Sequence, residues 1–226
     1  MDVSRGRVIT SHQVHGWDDF PLVDWFAQRW NLATSLGNDC NVAALAEAKL
    51  GAGRGYGRVL YATVGTGIGG GFVVDGKIDG QQQLAVAELG HLRPGLEARG
   101  HERTVEAVAS GLGIEQSMIR AIQDPHAGGL TREDADDFRA RWSTQGQTPS
   151  AQTVAAAASE GQPLACHVLK RATDHLGWAL AQATTLMSPD RIVVGGGVSM
   201  IGPRFFTAVR EAWRTYVFPP LQSSCE

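Results

Sequence analysis

The sequence predicts an α/β fold. Two apolar runs with strand character, "RVLYATVG" and "GGFVVDGKI", follow each other closely, and a third, "DRIVVGGG", comes near the end of the chain. Between them lies a long block with helical periodicity, and an amphipathic stretch closes the sequence. Strands, then helices, then a strand and a helix is the order of an α/β protein.

Taken in order, Arg7 to Ser11 reads as a short strand. "FPLVDWFAQRWN", from Phe20 to Asn31, has apolar residues at helical spacing and Pro21 near its start, so a helix is expected. "LATSLG" after it can form another strand. "NDCNVAALAEAKLGAG" reads as a capped helix, with Asn38 or Asp39 as the cap and glycines ending it. The two central strands follow, with Asp75-Gly76 marking a tight hairpin within or just after the second. Gln81 to Arg103 is irregular. "TVEAVASGLGIEQSMIRAIQ" reads as one helix, Gln123 to Gly129 as a loop, "TREDADDFRARW" as a short helix with acids in its first turn, and "STQGQTPSAQ" as a polar linker. Helices fill Thr153 to Met187, with a break expected at "EGQPL". "SMIGPRFFTAVREAWRTYV" closes the chain as an amphipathic helix.

Composition narrows the classes. A chain of 226 residues can bury a real core as one large domain or two small ones. Its apolar fraction of 43% and net charge of -3 are those of an ordinary globular protein. There is no basic run, so nucleic acid is not an expected partner. No apolar segment is long enough to span a bilayer, so no membrane association is expected, and "MDVSRGRVIT" lacks the apolar core of a secretory leader. Cys40, Cys166 and Cys225 are odd in number, far apart and without metal-ligand spacing. The expected compartment is the reducing cytoplasm, with the thiols acting as small hydrophobes.

Two glycine turns stand out. In "TVGTGIGGGFV", Thr63 to Val73, five of eleven residues are glycine. Successive backbone N–H groups in such a turn can converge on an anion that side chains would block, with the Thr66 hydroxyl as a further donor. A hairpin with bulges, needing glycine only for its backbone, is the alternative. The string is neither a P-loop, lacking the GK[ST] ending, nor a dinucleotide fingerprint, since it leads into a strand. "RIVVGGGV", Arg191 to Val198, is a second turn, placed after a strand and before a helix. Ligands of open α/β sheets bind at the carboxyl ends of strands, so two such turns suggest a nucleotide held from two sides. Asp39 at a helix start is either a plain N-cap or a carboxylate at the mouth of a cleft, able to accept a proton from a sugar hydroxyl during phosphoryl transfer.

These segments together carry a family resemblance. "NDCNVAALAEAKLGAG", "YATVGTGIGGGFVVDGKI", "AELGH", "VEAVASG" and "PDRIVVGGGVS" resemble, in order and spacing, the signatures of ROK-family sugar kinases, from about Val3 to about Tyr216. The resemblance implies the actin-like, hexokinase-like ATPase fold (ribonuclease H-like), with residues 1–37 as a remnant of the small lobe and 38–226 as the large lobe. It implies a glucokinase-like hexose kinase using ATP and Mg²⁺. Asp39 would be the catalytic base. Asn38, Glu88, His91 and Glu106 would contact sugar hydroxyls. Thr66, Gly67, Gly69 and Gly70 would lie over the ATP phosphates, and Gly195, Gly196 and Gly197 beside the adenosine. A homodimer is also implied. The alternative within the family is a non-catalytic, sugar-binding regulator, although no basic helix-turn-helix stretch is present.

The chain departs from the family in three places. The C-x-C-G-x-x-G-C zinc motif of many members is absent; the region reads "HLRPGLEARGHERTVEAV", with Thr104 where the last cysteine would fall, so no zinc is expected. His101 is a weak candidate to pair with His91 on a metal. No D-x-G-G-T string precedes Asp39, so the family's aspartate that helps hold Mg²⁺ is missing. The segment that normally returns to the small lobe is missing as well. Mg²⁺ neutralises developing charge on the phosphates. The 226 residues alone are therefore expected to be a very weak kinase or none, either a truncated enzyme or a gene fragment.

Overall fold

The computed structural model describes residues 1–10, 14–81, 83, 85–142, 148–223 and 225. Ser11, at the end of the first expected strand, and residues 143–147 of the expected linker lie outside these residues. The fold is α/β. β1 (Arg58–Val64), β2 (Ile68–Val74), β3 (Lys77–Ile78) and β4 (Arg191–Gly195) form one sheet in the order β3-β2-β1-β4. β1 and β2 are antiparallel, with Arg58 opposite Val74 and Val64 opposite Ile68, which leaves residues 65–67 as the connecting turn. β4 lies parallel to β1, with Thr63 beside Gly195. Asp75 and Gly76 both have positive φ, 48° and 73°, as the two-residue hairpin into β3 requires.

Alternation along the strands sorts the two faces. Val59, Tyr61, Val73 and Val193 pack against Ala44 of α2 (Asp39–Leu50). Leu60, Ala62, Val64 and Phe72 face the larger core on the other side. That core is built by α3 (Glu106–Ala109), α4 (Gly111–Gln123), α5 (Arg132–Trp142), α6 (Ala151–Ser159), α7 (Pro163–Met187) and α8 (Pro203–Tyr216). With both faces covered, β1 reads as a nearly continuous apolar run instead of an alternating one. α7 runs through the middle of the helical layer and buries Leu164, Val168, Leu176 and Leu180. α8 crosses it at Gly177, where a side chain would lie 2.7 Å from the Trp213 amide nitrogen, and Trp213 Nε1 donates to Thr184 Oγ1 at 3.0 Å. Gln162 starts α7 from both sides: its oxygen accepts from the Ala165 amide and its NH₂ donates to the Asp134 carbonyl.

Several expected elements differ. Arg7 and Val8 make only isolated bridges, to Asp2 and Phe20, so the first expected strand does not form. Residues 32–37 form no strand. The single helix expected over 104–123 is two, because the Ser110 hydroxyl accepts from the Gly113 amide at 3.0 Å and so caps α4. The loop at 123–129 contains a 3-10 turn, Pro125–Gly128. The last helix begins at Pro203, since a proline suits the first helical position, and the residues before it form a separate 3-10 turn. α1 (Leu22–Trp30) forms where expected but buries none of its residues. Among the described residues no helix is long and apolar enough to cross a membrane.

Candidate active site

Three chain segments end at one edge of the sheet: the C-terminal end of β1, the start of β2 and the C-terminal end of β4. α2 begins beside this edge. Its cap is Asn38, whose side-chain oxygen accepts from the Asn41 amide at 3.2 Å. Of the two cap candidates, therefore, Asn38 takes the structural task and keeps its NH₂ for other partners. Asp39 is the first residue of the helix and is exposed, and one of its oxygens accepts from the Cys40 amide at 3.0 Å. A carboxylate in the first turn of a helix interacts favourably with the helix dipole.

Cys40 ties this helix to β2, since a side chain on Gly69 would collide with its sulfur. Burial, and then the negative charges of Asp39 and Glu88, push the Cys40 thiol up to about 11. Both carboxylates act on the same Cys40 thiol. Because the fold favours the neutral thiol, the reactive thiolate forms only as pH rises through that value. At pH 8, iodoacetamide is expected to label the exposed Cys166 readily and Cys40 only after urea unfolding. Equal labelling rates in the native protein, read by mass spectrometry, would contradict this environment.

The stretch after β3 brings the other acids in. Ala87 lies against β2 so closely that a side chain at Gly70 would strike its carbonyl oxygen. Glu88 is exposed, and the 3-10 turn Leu89–His91 follows it, with the exposed His91 donating its backbone N–H to the Glu88 carbonyl at 3.1 Å. Glu106, the first residue of α3, reaches the start of β2, where its Oε2 accepts from the Ile68 amide at 2.7 Å. Thr104, at the position of the missing cysteine, is buried, and its hydroxyl accepts from the Ala107 amide at 3.2 Å. His101 opens a separate 3-10 turn, and no group of three or more metal-ligating side chains occurs among the described residues.

The first glycine stretch divides into two parts. Gly65, Thr66 and Gly67 make the turn, whereas Gly69 and Gly70 are strand residues. The absence of side chains at those two positions has a packing reason: it admits Cys40 on one face and Ala87 on the other. In the turn, the Gly65 amide donates to the Gly67 carbonyl at 2.9 Å, and the Gly65 carbonyl accepts from the Gly111 amide at 2.7 Å. The amides of Thr66 and Gly67 donate to no described residue. The second turn meets the first. Gly65, Thr66 and Gly111 line a cavity of about 390 Å³ together with Gly197, Glu115 and Gln152. Thr66 also lines a neighbouring cavity of about 220 Å³ with Glu106. Asp39 lines neither of these two. The neighbouring Cys40 packs against Gly69, and the amide of the adjacent Ile68 donates to Glu106, which lines the smaller cavity. Glu115 and Gln152 escape sequence reasoning, because single polar residues on helical surfaces belong to no motif. Unpartnered amides at a turn, opposite a second glycine turn, suit the phosphates of a nucleotide.

The arrangement defines a class: an α/β protein of the actin-like ATPase fold, as seen in ROK hexokinases. The ROK hexokinase of Thermus thermophilus matches with a TM-score of 0.76 at 30% identity, over 96% of this chain and 66% of that one. A ROK-family glucokinase from Streptomyces griseus, solved with glucose and AMPPNP, matches with a TM-score of 0.75 at 29% identity, over 95% of this chain and 68% of that one. The chain belongs to the ROK family, whose pattern it matches over residues 3–226. The glucokinase of Halalkalibacterium halodurans is 31% identical over 216 residues, 93% of this chain and 63% of the relative. The chain thus spans less than two thirds of that relative's length. Regulators also match: the Escherichia coli DNA-binding transcriptional dual regulator NagC is 27% identical over 205 residues, 88% of this chain and 46% of that one.

Proposed function

We propose that this chain is the sugar- and nucleotide-binding part of an ATP-dependent, glucokinase-like hexose kinase. In this reading Asp39 takes the proton from a sugar hydroxyl, that on C6, as the oxygen attacks the γ-phosphorus of ATP. The P–O bond to the β-phosphate breaks and ADP leaves. Asn38, Glu88, His91 and Glu106 orient the sugar, the turn at Thr66 and Gly67 meets the phosphates, and Gly195–Gly197 flank the adenosine. The supporting observation is the shared cavity between the two glycine turns, at the same sheet edge as the start of α2. A non-catalytic regulatory relative is the second reading, favoured by the match to NagC. An acid retained at position 39, free of capping duty, weighs against it.

The test is AMPPNP titration, followed by ATP-dependent phosphorylation of glucose, N-acetylglucosamine, N-acetylmannosamine and fructose. Micromolar-to-millimolar nucleotide binding and slow transfer to one sugar are expected. No detectable nucleotide binding would defeat the kinase reading. Rapid turnover by the 226 residues would defeat the expectation that they alone form a very weak kinase.

A further inference from the structure

We infer that Glu106 is a positioning residue for the phosphate-binding turn, in addition to any contact it makes with sugar. This rests on the kinase reading above. The turn at residues 65–67 is held at two points. On the β1 side, the start of α4 holds it, through the Gly111 amide on the Gly65 carbonyl at 2.7 Å and a longer bond from the Leu112 amide to the Thr66 carbonyl at 3.4 Å. On the β2 side, the anchor is the Glu106 carboxylate on the Ile68 amide at 2.7 Å. The approach depends on Gly67, where a Cβ would stand 2.5 Å from the same oxygen. Between the two anchors lie the Thr66 and Gly67 amides, which have no partner among the described residues.

A hydrogen bond from an amide to a carboxylate is stronger than one between neutral groups, so this anchor fixes the direction of the adjacent N–H groups. The second oxygen of Glu106 has no hydrogen-bond partner among the described residues, and the side chain lines the small cavity it shares with Thr66. One carboxylate can therefore hold the turn with one oxygen and receive a sugar hydroxyl with the other. A residue that touched only sugar would have no effect on nucleotide binding in the absence of sugar.

The experiment uses that difference. AMPPNP and adenosine are titrated into the wild-type chain, Glu106→Ala and Glu106→Gln, without sugar, with thermal unfolding as a check on folding. Glu106→Ala is expected to weaken AMPPNP binding about tenfold, the scale of one charge-assisted hydrogen bond, and to leave adenosine binding unchanged. Glu106→Gln keeps an oxygen for the Ile68 amide and should recover part of the loss. Equal AMPPNP affinity in wild type and Glu106→Ala overturns the inference. So does an equal loss for AMPPNP and adenosine, which would signal general damage. If the wild type binds no AMPPNP, the kinase reading itself has failed.

Discussion

Gly196→Ala is expected to destabilise the protein by about 3–5 kcal/mol, combining the strain of a glycine-only conformation with overpacking. Gly196 has φ 91° and ψ 172°, a region that side-chain-bearing residues hardly enter. A Cβ there would also stand 2.5 Å from the Val64 carbonyl oxygen and 2.7 Å from the Val64 nitrogen. Those are backbone atoms at the end of β1, and they cannot turn aside as a flexible side chain can. Relief would have to come from separating β4 from β1, which is the pairing that holds the two glycine turns together. For a domain whose whole stability is about 5–15 kcal/mol the loss is large. Urea unfolding measures it, and Gly197→Ala is the control. Gly197 has an ordinary φ and open space around its added Cβ, so its cost should stay within about 0.5 kcal/mol. Similar midpoints for the two variants would show that the turn does not pack as described.

Asp39→Asn is expected to lower sugar phosphorylation by about 10²–10⁴-fold, the usual contribution of a general base, while sugar and nucleotide affinities persist. The structure separates this effect from folding. The N-cap bond belongs to Asn38, so asparagine at 39 leaves the cap of α2 in place. What is lost besides the base is the carboxylate's interaction with the helix dipole, about 0.3–1 kcal/mol. Asn38→Ala, by contrast, should lose about 1 kcal/mol of stability with its cap, in addition to any loss of sugar contact. Transfer of phosphate from radiolabelled ATP, measured beside urea unfolding, distinguishes them. Undiminished transfer by Asp39→Asn would remove Asp39 from the role of base.

Much of the fold could be read from residue order. "NDCNVAALAEAKLGAG" gave the helix of 39–50 through its cap and its small apolar body, and Asp75-Gly76 gave the hairpin through a backbone need that few residues meet. Arg7 to Ser11 misled because β-branched residues favour a strand only where a neighbouring strand pairs with them, and Val8 has a single bridge. The break at Ser110 was hidden because local periodicity continues across it. The Gly111 and Leu112 amides just past that break meet the carbonyls of a turn more than forty residues earlier.

The sequence by itself determined the α/β class, the capped helix with an acid at its start, and the two glycine turns, because propensity, capping and turn chemistry act over a few residues. Only the tertiary structure decided how each glycine is used and how Glu106 is employed. Gly69 and Gly70 serve close packing, Gly196 accommodates a neighbouring strand, and Glu106 spends one oxygen on Ile68. Those assignments depend on which backbone atoms come within 3 Å of one another across the chain, a property of the packed sheet and helices that no local pattern encodes.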